Sequence, residues 1–508
     1  MKKIITSILT CGVMVASLMS QAAERPGLSR GDEAGTEERE VLVARTETAG
    51  TLASVIGDRK LSVDSIVVEG PINEADFDVL WEASFYGKTY GLSLEKATVE
   101  EGRIPDNAFF RKEVQKITDE KGKVTKISGK LRHVVLGALD EVGDDAFYYS
   151  RNLETVRFTG PVRRLGKGSF QYCAAIGDEE RLRLPEGLEE VDEACFWGAG
   201  KLESYLPATL RIINRMAFSF VDIDKLEFPE SLEFLGYRAF SESTVREVFF
   251  PDTDVEISYY GSQFYRCVNL EVLRMPSRQR VIQSFFVNCC YRLKEFVLPP
   301  ELEVIGYNAF GGCEEYVTGL YEIPEGCVKI DDSGFNGCIN LESVVLPSTL
   351  ETIGEYAFLQ CDALKSVYCK AAVPPAYNKT GDFIYVFDPD PDNKEVVNKT
   401  LYVPEGTSEL YANSKVWKNF AKIVELSPEE FGQVGAIDAA VADNGGAEIT
   451  ADGEEICICG AGGETYTVCG VDGRVVASGV TAAGETRIAV SGGIYVVKVG
   501  GTVCKLAL

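Results

Sequence analysis

Large apolar residues return along this chain in short strand-like clusters, and the clusters themselves recur at a longer period. Aligning on an Ala-Phe pair and its variants gives anchors at Phe109, Phe147, Phe170, Phe196, Phe218, Phe240, Phe264, Phe286, Phe310, Phe335 and Phe358. From Phe147 onward the spacings are 23, 26, 22, 22, 24, 22, 24, 25 and 23 residues. Five positions before nearly every anchor stands a Leu, Ile or Val (Ile104, Val142, Leu165, Val191, Ile213, Leu235, Val281, Ile305, Ile330, Ile353), with Tyr259 the aromatic exception. Three positions after it, six units carry Cys173, Cys267, Cys289, Cys313, Cys338 or Cys361. Each unit runs on into a short apolar strand ending in proline, as in Leu341-Glu-Ser-Val-Val-Leu346-Pro347. A period of this size means stacked supersecondary units. A lone unit buries too little to offset the entropy of ordering it, so neighbours must supply the rest. The Phe, Leu/Ile and Leu-Pro positions therefore predict parallel ladders through a single-file core, with each proline where a ladder strand ends.

The unit L-x-x-V-x-L-P…L-x-x-I-G-x-x-A-F-x-x-C, clearest in Gly354–Cys361 and Gly306–Cys313, resembles the BspA-like branch of leucine-rich repeats. The resemblance spans about residues 100 to 425. It implies a leucine-rich repeat solenoid, with a parallel β-strand ladder on one side and irregular or short helical segments on the convex side. It also implies that the repeat cysteines point into the core as small apolar side chains. The units around Phe196, Phe218 and Phe240 lack the trailing cysteine, and the Gly261–Phe264 unit lacks the alanine.

Outside the array, Lys2 and Lys3 precede an apolar run from Ile4 to Met19 and small residues at Ser20-Gln21-Ala22, the layout of a secretory signal over 1–22. Residues 23–49 read as a flexible linker, and 50–100 as an N-terminal cap with strand Ser65–Glu69, helix Asn73–Ser84 and strand Leu92–Leu94. The repeats occupy 101–370. Residues 371–428 form the closing cap, with Trp417 and Phe420 sealing the last apolar face. Residues 429–508 change character: many glycines, no proline, and short alternating strands such as Tyr466–Val468, Val471–Val476 and Gly493–Val499, which predict a small all-β sandwich. This module resembles C-terminal sorting domains of type IX secretion, and that resemblance implies export across an outer membrane and contact with the secretion machinery.

Charge narrows the partners. The chain has 51 Lys+Arg against 78 Asp+Glu, a formal net charge of −27, which argues against nucleic acid and anionic membrane surfaces as general partners. A single histidine, His133, excludes metal sites built on two histidines. Of the 15 cysteines, those of the repeats read as buried free thiols more readily than as disulfides, because side chains running alongside each other suit a disulfide badly. In the tail, Cys457-x-Cys459 reads first as core packing, then as a disulfide partner, and last as a zinc ligand. Two apparent motifs fail on context. Gly27-Leu-Ser29-Arg-Gly31 lacks the strand-turn-helix of a nucleophile elbow. Asp388-Pro-Asp390-Pro-Asp392 lacks the glycine and closing glutamate of a calcium loop. No catalysis, cofactor or metal is expected.

The outward position just before each strand's last core residue reads Arg157, Arg183, Tyr205, Glu227, Phe249, Arg274, Val297, Glu322 and Val345. Arginine and aromatic residues are enriched where proteins bind partners. Arg157, Arg183, Tyr205, Phe249 and Arg274 are therefore the candidate ligand stripe. The family resemblance implies an exported cell-surface adhesion or recognition protein, with host matrix proteins such as fibronectin and fibrinogen, or other bacterial cells, as partners. A glycan-capture protein serving nutrient uptake is the alternative.

Overall fold

The structure is a computed structural model that describes residues 39–118, 124–377, 385–388, 396–436 and the strand segments of 448–507. The chain divides into two units, residues 1–41 and 42–508, and only residues 39–41 of the first are described. The signal segment and the Gly27–Gly31 motif lie outside the described residues.

Each repeat forms one coil with two short strands and a tight turn. The first strands stack in parallel as His133–Leu136 beside Thr155–Phe158, then Lys225–Glu227 through Glu295–Val297, then Gly319–Glu322 onward. The second strands form another parallel ladder, from Arg103–Ile104 to Glu256–Ile257 and again from Val281–Ile282 to Thr352–Ile353. A glycine follows many of these second strands because the coils approach closely: a Cβ at Gly143 would lie 2.4 Å from the Ile104 carbonyl oxygen.

The turn carries the anchor and a third line of coil-to-coil hydrogen bonds. Asp145, Phe147 and Tyr149 donate their backbone N–H groups to Lys167, Ser169 and Gln171 of the next coil at 2.7, 2.8 and 2.8 Å. Reaching both coils with every second N–H puts the residues two before and two after the anchor in the left-handed region. Ala194, Met216 and Arg238 have φ of 54°, 55° and 54°, and Tyr172 and Phe220 have 64° and 60°. That conformation costs a non-glycine residue about 1 kcal/mol or more, offset here by the inter-coil bonds.

The anchor rings form a stacked column. Phe109 through Phe264 follow one another at 4.8–5.9 Å with interplanar angles of 4–15°, and all are buried. The column resumes at Phe310 and runs through Phe335 and Phe358 to Phe387. Between the two stretches the structure corrects the sequence alignment by one residue. Phe286 takes the alanine position and meets Phe264 edge-on at 87°, whereas Val287 occupies the anchor position and donates to Ala309 O. Ile282, not Val281, is the buried strand residue, in register with Ile305. Cys290, not Cys289, is the buried thiol. The Tyr259 exception also resolves: Ile257 pairs with Leu235 in the ladder, and Tyr259 and Tyr260 are two extra residues in the loop, 71% and 63% exposed.

The repeat thiols are free and occupy one niche. Cys173, Cys267, Cys290, Cys313, Cys338 and Cys361 each donate to the anchor carbonyl of the preceding coil, at 3.1–3.4 Å. Burial pushes the Cys267 and Cys361 thiols up to about 12. In the coils lacking cysteine, Ala199, Val221 and Ser243 fill the same place.

The ends continue the same scheme. Strand Ser65–Ile72 pairs with Gly91–Val99, which pairs in turn with His133–Leu136, extending the first ladder toward the N-terminus. Helix Glu74–Phe85 stands where later coils have a turn, and its Phe77 packs edge-on against Phe109 at 6.2 Å. Buried Asp76 fastens the preceding segment by accepting from Gly50, Leu52 and Asn73 N–H. The expected linker over 23–49 is not wholly irregular: Val41–Arg45 is an edge strand beside Ser65–Ile72, because Leu42 and Ala44 alternate into the core. At the other end, Val397–Pro404 and Phe420–Leu426 add two more parallel strands. Trp417 and Phe420 are buried there, and Trp417 donates its indole N–H to Pro375 O at 3.0 Å. Asp388 accepts from Gln360 and Cys361 N–H, closing the last turn; residues 389–392 of its motif lie outside the described residues.

The C-terminal segment forms two antiparallel sheets, one of three strands and one of four. Ile456, Ile458 and Ile488 of the first share a core with Val468, Val497 and Val499 of the second, which makes the module a β-sandwich. Cys457 is buried. Among the described residues, no helix is long and apolar enough to cross a membrane.

Candidate ligand-binding face

The first ladder alternates inward apolar and outward polar residues, so its outward positions line up from coil to coil. Val135 pairs with Arg157, and Glu227, Phe249, Arg274 and Val297 are consecutive register partners. Arg183 and Tyr205 stand between, just before buried Leu184 and Leu206, in coils whose strands shrink to the isolated bridges Leu182–Leu202 and Lys201–Asp222.

The five stripe residues fall into two groups. In the first, the Arg183 guanidinium lies 3.7 Å from the Tyr205 ring centroid. The Tyr205 hydroxyl donates to both carboxylate oxygens of Glu186 at 2.8 and 2.9 Å, and Arg183 donates to Glu186 and Glu203 at 3.3 Å each. Desolvation, and then donation to the Glu186 carboxylate, raise the Tyr205 phenol above its ordinary value. Arg157 donates to Glu180 at 2.7 Å. Arg157, Glu180, Arg181, Arg183, Glu186 and Glu203 border a groove of about 260 Å³. In the second group, Phe249 is flanked by Lys225 at 5.0 Å and Arg274 at 5.4 Å from its ring centroid, reaching in from the strands on either side. Lys225 in turn lies 2.6 Å from Glu227, and Arg274 lies 4.0 Å from Glu295. Glu227 separates the groups.

This arrangement is not a bare cationic stripe. Every arginine in it has a carboxylate partner, and most of those pairs are more than half exposed, as with Arg157 and Glu180 at 66% and 59%. Exposed pairs of this kind contribute about 1 kcal/mol or less to the fold and can exchange their partners for a ligand's. What the face presents is cation-backed aromatic rings rimmed by both signs of charge. Reading the sequence missed Lys225 and the four acidic partners in the first group and beside Arg274. Of the acidic ones in the groove, Glu180 and Glu186 come from a bend and a turn, whereas Glu203 follows the bridge residue Leu202 and donates its N–H to Leu182 O at 2.9 Å. Farther along, Val345 is buried and so offers no outward side chain.

Two parallel strand ladders, a stacked anchor column and one short turn per coil define a leucine-rich repeat solenoid. The BspA type Leucine rich repeat region (6 copies) matches residues 102–206, 140–260, 189–317 and 319–380, more than half of the 508 residues. The chain belongs to the BspA-type leucine-rich repeat family. No curated protein matches it significantly. Among solved structures it is similar to a leucine-rich repeat protein from Bacteroides ovatus, at 20% identity over 64% of this chain and 86% of that one, with a TM-score of 0.46. It is also similar to a leucine rich cell surface protein from Faecalibacterium prausnitzii, at 20% identity over 53% and 86% of the two chains, TM-score 0.32. A third similar structure is the pneumococcal vaccine antigen PcpA, at 14% identity over 72% and 80%, TM-score 0.32.

Proposed function

We propose that this protein is exported to the cell surface and binds a macromolecular ligand, a host matrix protein or another cell's surface, along the first-ladder face of its solenoid. The observation that carries the proposal is the pairing of outward aromatic rings with flanking cations, Arg183 over Tyr205 and Lys225 and Arg274 about Phe249. Membership in a family typical of cell surfaces supports the reading. Large rigid rings and arginines supply contact energy at low entropic cost, and the surrounding carboxylates set which partner charges are accepted. The C-terminal sandwich is the proposed sorting or anchoring module, and residues 1–22 the proposed export signal. No catalytic role is proposed.

The test is a variant with Arg157, Arg183, Tyr205, Phe249 and Arg274 all replaced by alanine. Binding to immobilised fibronectin, fibrinogen or whole cells should be abolished while thermal unfolding is nearly unchanged, because these side chains are outside the core. Unaltered binding by a folded variant would sink the proposal. The exposed Tyr259–Tyr260 pair, with ring centroids 4.0 Å apart, favours glycan capture as the second reading. A glycan array compared with a matrix-protein pull-down separates the two.

A further inference from the structure

The lone histidine is not alone in space. His133 opens the strand His133–Leu136 and pairs in register with Thr155. Glu154, just before Thr155, is held between coils: its N–H donates to Arg132 O at 2.7 Å, and its carbonyl accepts from Gly177 N–H at 2.9 Å. That second bond draws the next coil's loop, with Glu179, over the same spot. Three successive coils thereby bring one imidazole nitrogen and one oxygen of each glutamate within 4.8 Å of one another.

The details suit a cation. Arg132 binds one carboxylate oxygen of Glu154, Oε1, through Nε at 3.0 Å and a terminal nitrogen at 2.6 Å. The other oxygen, Oε2, is shielded from solvent and accepts from no described donor. A buried carboxylate oxygen without a partner is costly, and a metal-ligating carboxylate is typically steadied by an outer hydrogen bond of the kind Arg132 provides. The imidazole nitrogen that faces Glu179 is Nδ1, 3.8 Å from its carboxylate and 3.0 Å from the Thr155 hydroxyl, which an ion at that nitrogen would displace; Tyr90 packs edge-on against the ring. Two carboxylates outnumber the one guanidinium, so a net negative charge faces the gap. The adjacent acids are engaged elsewhere, Asp178 with Lys201 and Glu180 with Arg157. Zinc holds such ligands at roughly 2.0–2.2 Å, so its ligand atoms sit about 3.5 Å apart. Glu179, whose side chain is 57% exposed, need swing inward by only about an ångström to close the set.

We propose that His133, Glu154 and Glu179 form a binding site for a divalent transition-metal ion, with one imidazole and two carboxylates as its protein ligands. The remaining coordination positions are open to water or to a partner's donor group. The site is independent of whether the strand face binds a macromolecule, since its ligands are outside the five-residue stripe.

Zinc and cobalt(II) binding to the untagged, reduced full chain tests this. Equilibrium dialysis should find one zinc per chain at neutral pH. His133→Ala and Glu179→Gln should each weaken binding at least about tenfold, a loss typical even of outer-shell partners, with unchanged thermal unfolding of the metal-free protein. Because the chain has one histidine, zinc should shift a single set of imidazole ¹⁵N resonances. The cobalt spectrum should lack a thiolate charge-transfer band. Absence of stoichiometric zinc, equal binding by Glu179→Gln, an unmoved histidine resonance, or a thiolate band would each overturn the assignment.

Discussion

Replacing Phe218 by alanine probes the ring column where it is most continuous. The side chain is fully buried, with Phe196 at 5.4 Å on one side and Phe240 at 5.0 Å on the other, both nearly parallel. A buried Phe→Ala change costs about 3–5 kcal/mol. Two lost ring contacts, worth roughly 0.5–1.5 kcal/mol each beyond burial, belong to that figure and push it to the upper half. The expected loss is about 4 kcal/mol, nearly a thousandfold in the local folded-to-unfolded ratio. In a linear array each coil touches only its neighbours, so the damage should be local. Hydrogen exchange read coil by coil by mass spectrometry should show the largest loss of protection between Phe196 and Phe264, fading toward both ends. Phe286→Ala, which removes one edge-on contact instead of two stacked ones, should cost about 1 kcal/mol less. A loss below about 1.5 kcal/mol at Phe218, or one spread evenly over the whole array, would refute the single-file account.

Three further outcomes are expected. Ala194→Gly, at φ 54°, should raise stability by roughly 0.5 kcal/mol by relieving the left-handed strain, whereas Ala239→Gly, one residue nearer its anchor and outside that region, should lower it by about 1 kcal/mol; paired melting curves decide. Val287→Phe alone should overpack its coil by about 1–3 kcal/mol, and adding Phe286→Ala should recover most of that; equal melting temperatures for the two variants would contradict the corrected register. For pH, unfolded thiols ionise near 9 while burial keeps Cys267 and Cys361 protonated up to about 12. The folded chain then holds protons that the unfolded chain has lost, so stability is full below pH 9 and falls above it by about 1.4 kcal/mol per pH unit for each thiol. Melting temperatures from pH 7 to 10 should bend downward near 9, less steeply in Cys267→Ala and Cys361→Ala; a flat profile would show those thiols to be solvated.

Much of the solenoid was legible because the coils repeat their spacing: an apolar residue five before a phenylalanine and a small one three after fix where strand, turn and core must be. The one-residue slip at Phe286 was not, because Val281–Ile282, Phe286–Val287 and Cys289–Cys290 are each doublets that satisfy either register. Only the coil-to-coil hydrogen bonds choose between them. Tyr259 looked like a weak ladder position for a related reason, since two inserted residues hide Ile257 from a fixed offset. At the candidate site, outward positions follow from alternation along a strand, so Arg157, Phe249 and Arg274 could be named. Glu180 and Glu186 could not, because they approach from a bend and a turn whose path no periodicity records, and Glu203 stands two residues before the one position read from its coil. The grouping of His133 with Glu154 and Glu179 needs three coils in register and is invisible until they stack.

The sulfur-to-carbonyl contacts give the array a direction. Each of the six repeat-position thiols reaches back, as Cys361 to Phe335 O, Cys338 to Phe310 O and Cys313 to Val287 O. Trimming coils from the C-terminal side leaves every surviving sulfhydryl with its acceptor, whereas trimming from the opposite side strands one. In order of synthesis, each of these thiols therefore follows the carbonyl that accepts from it.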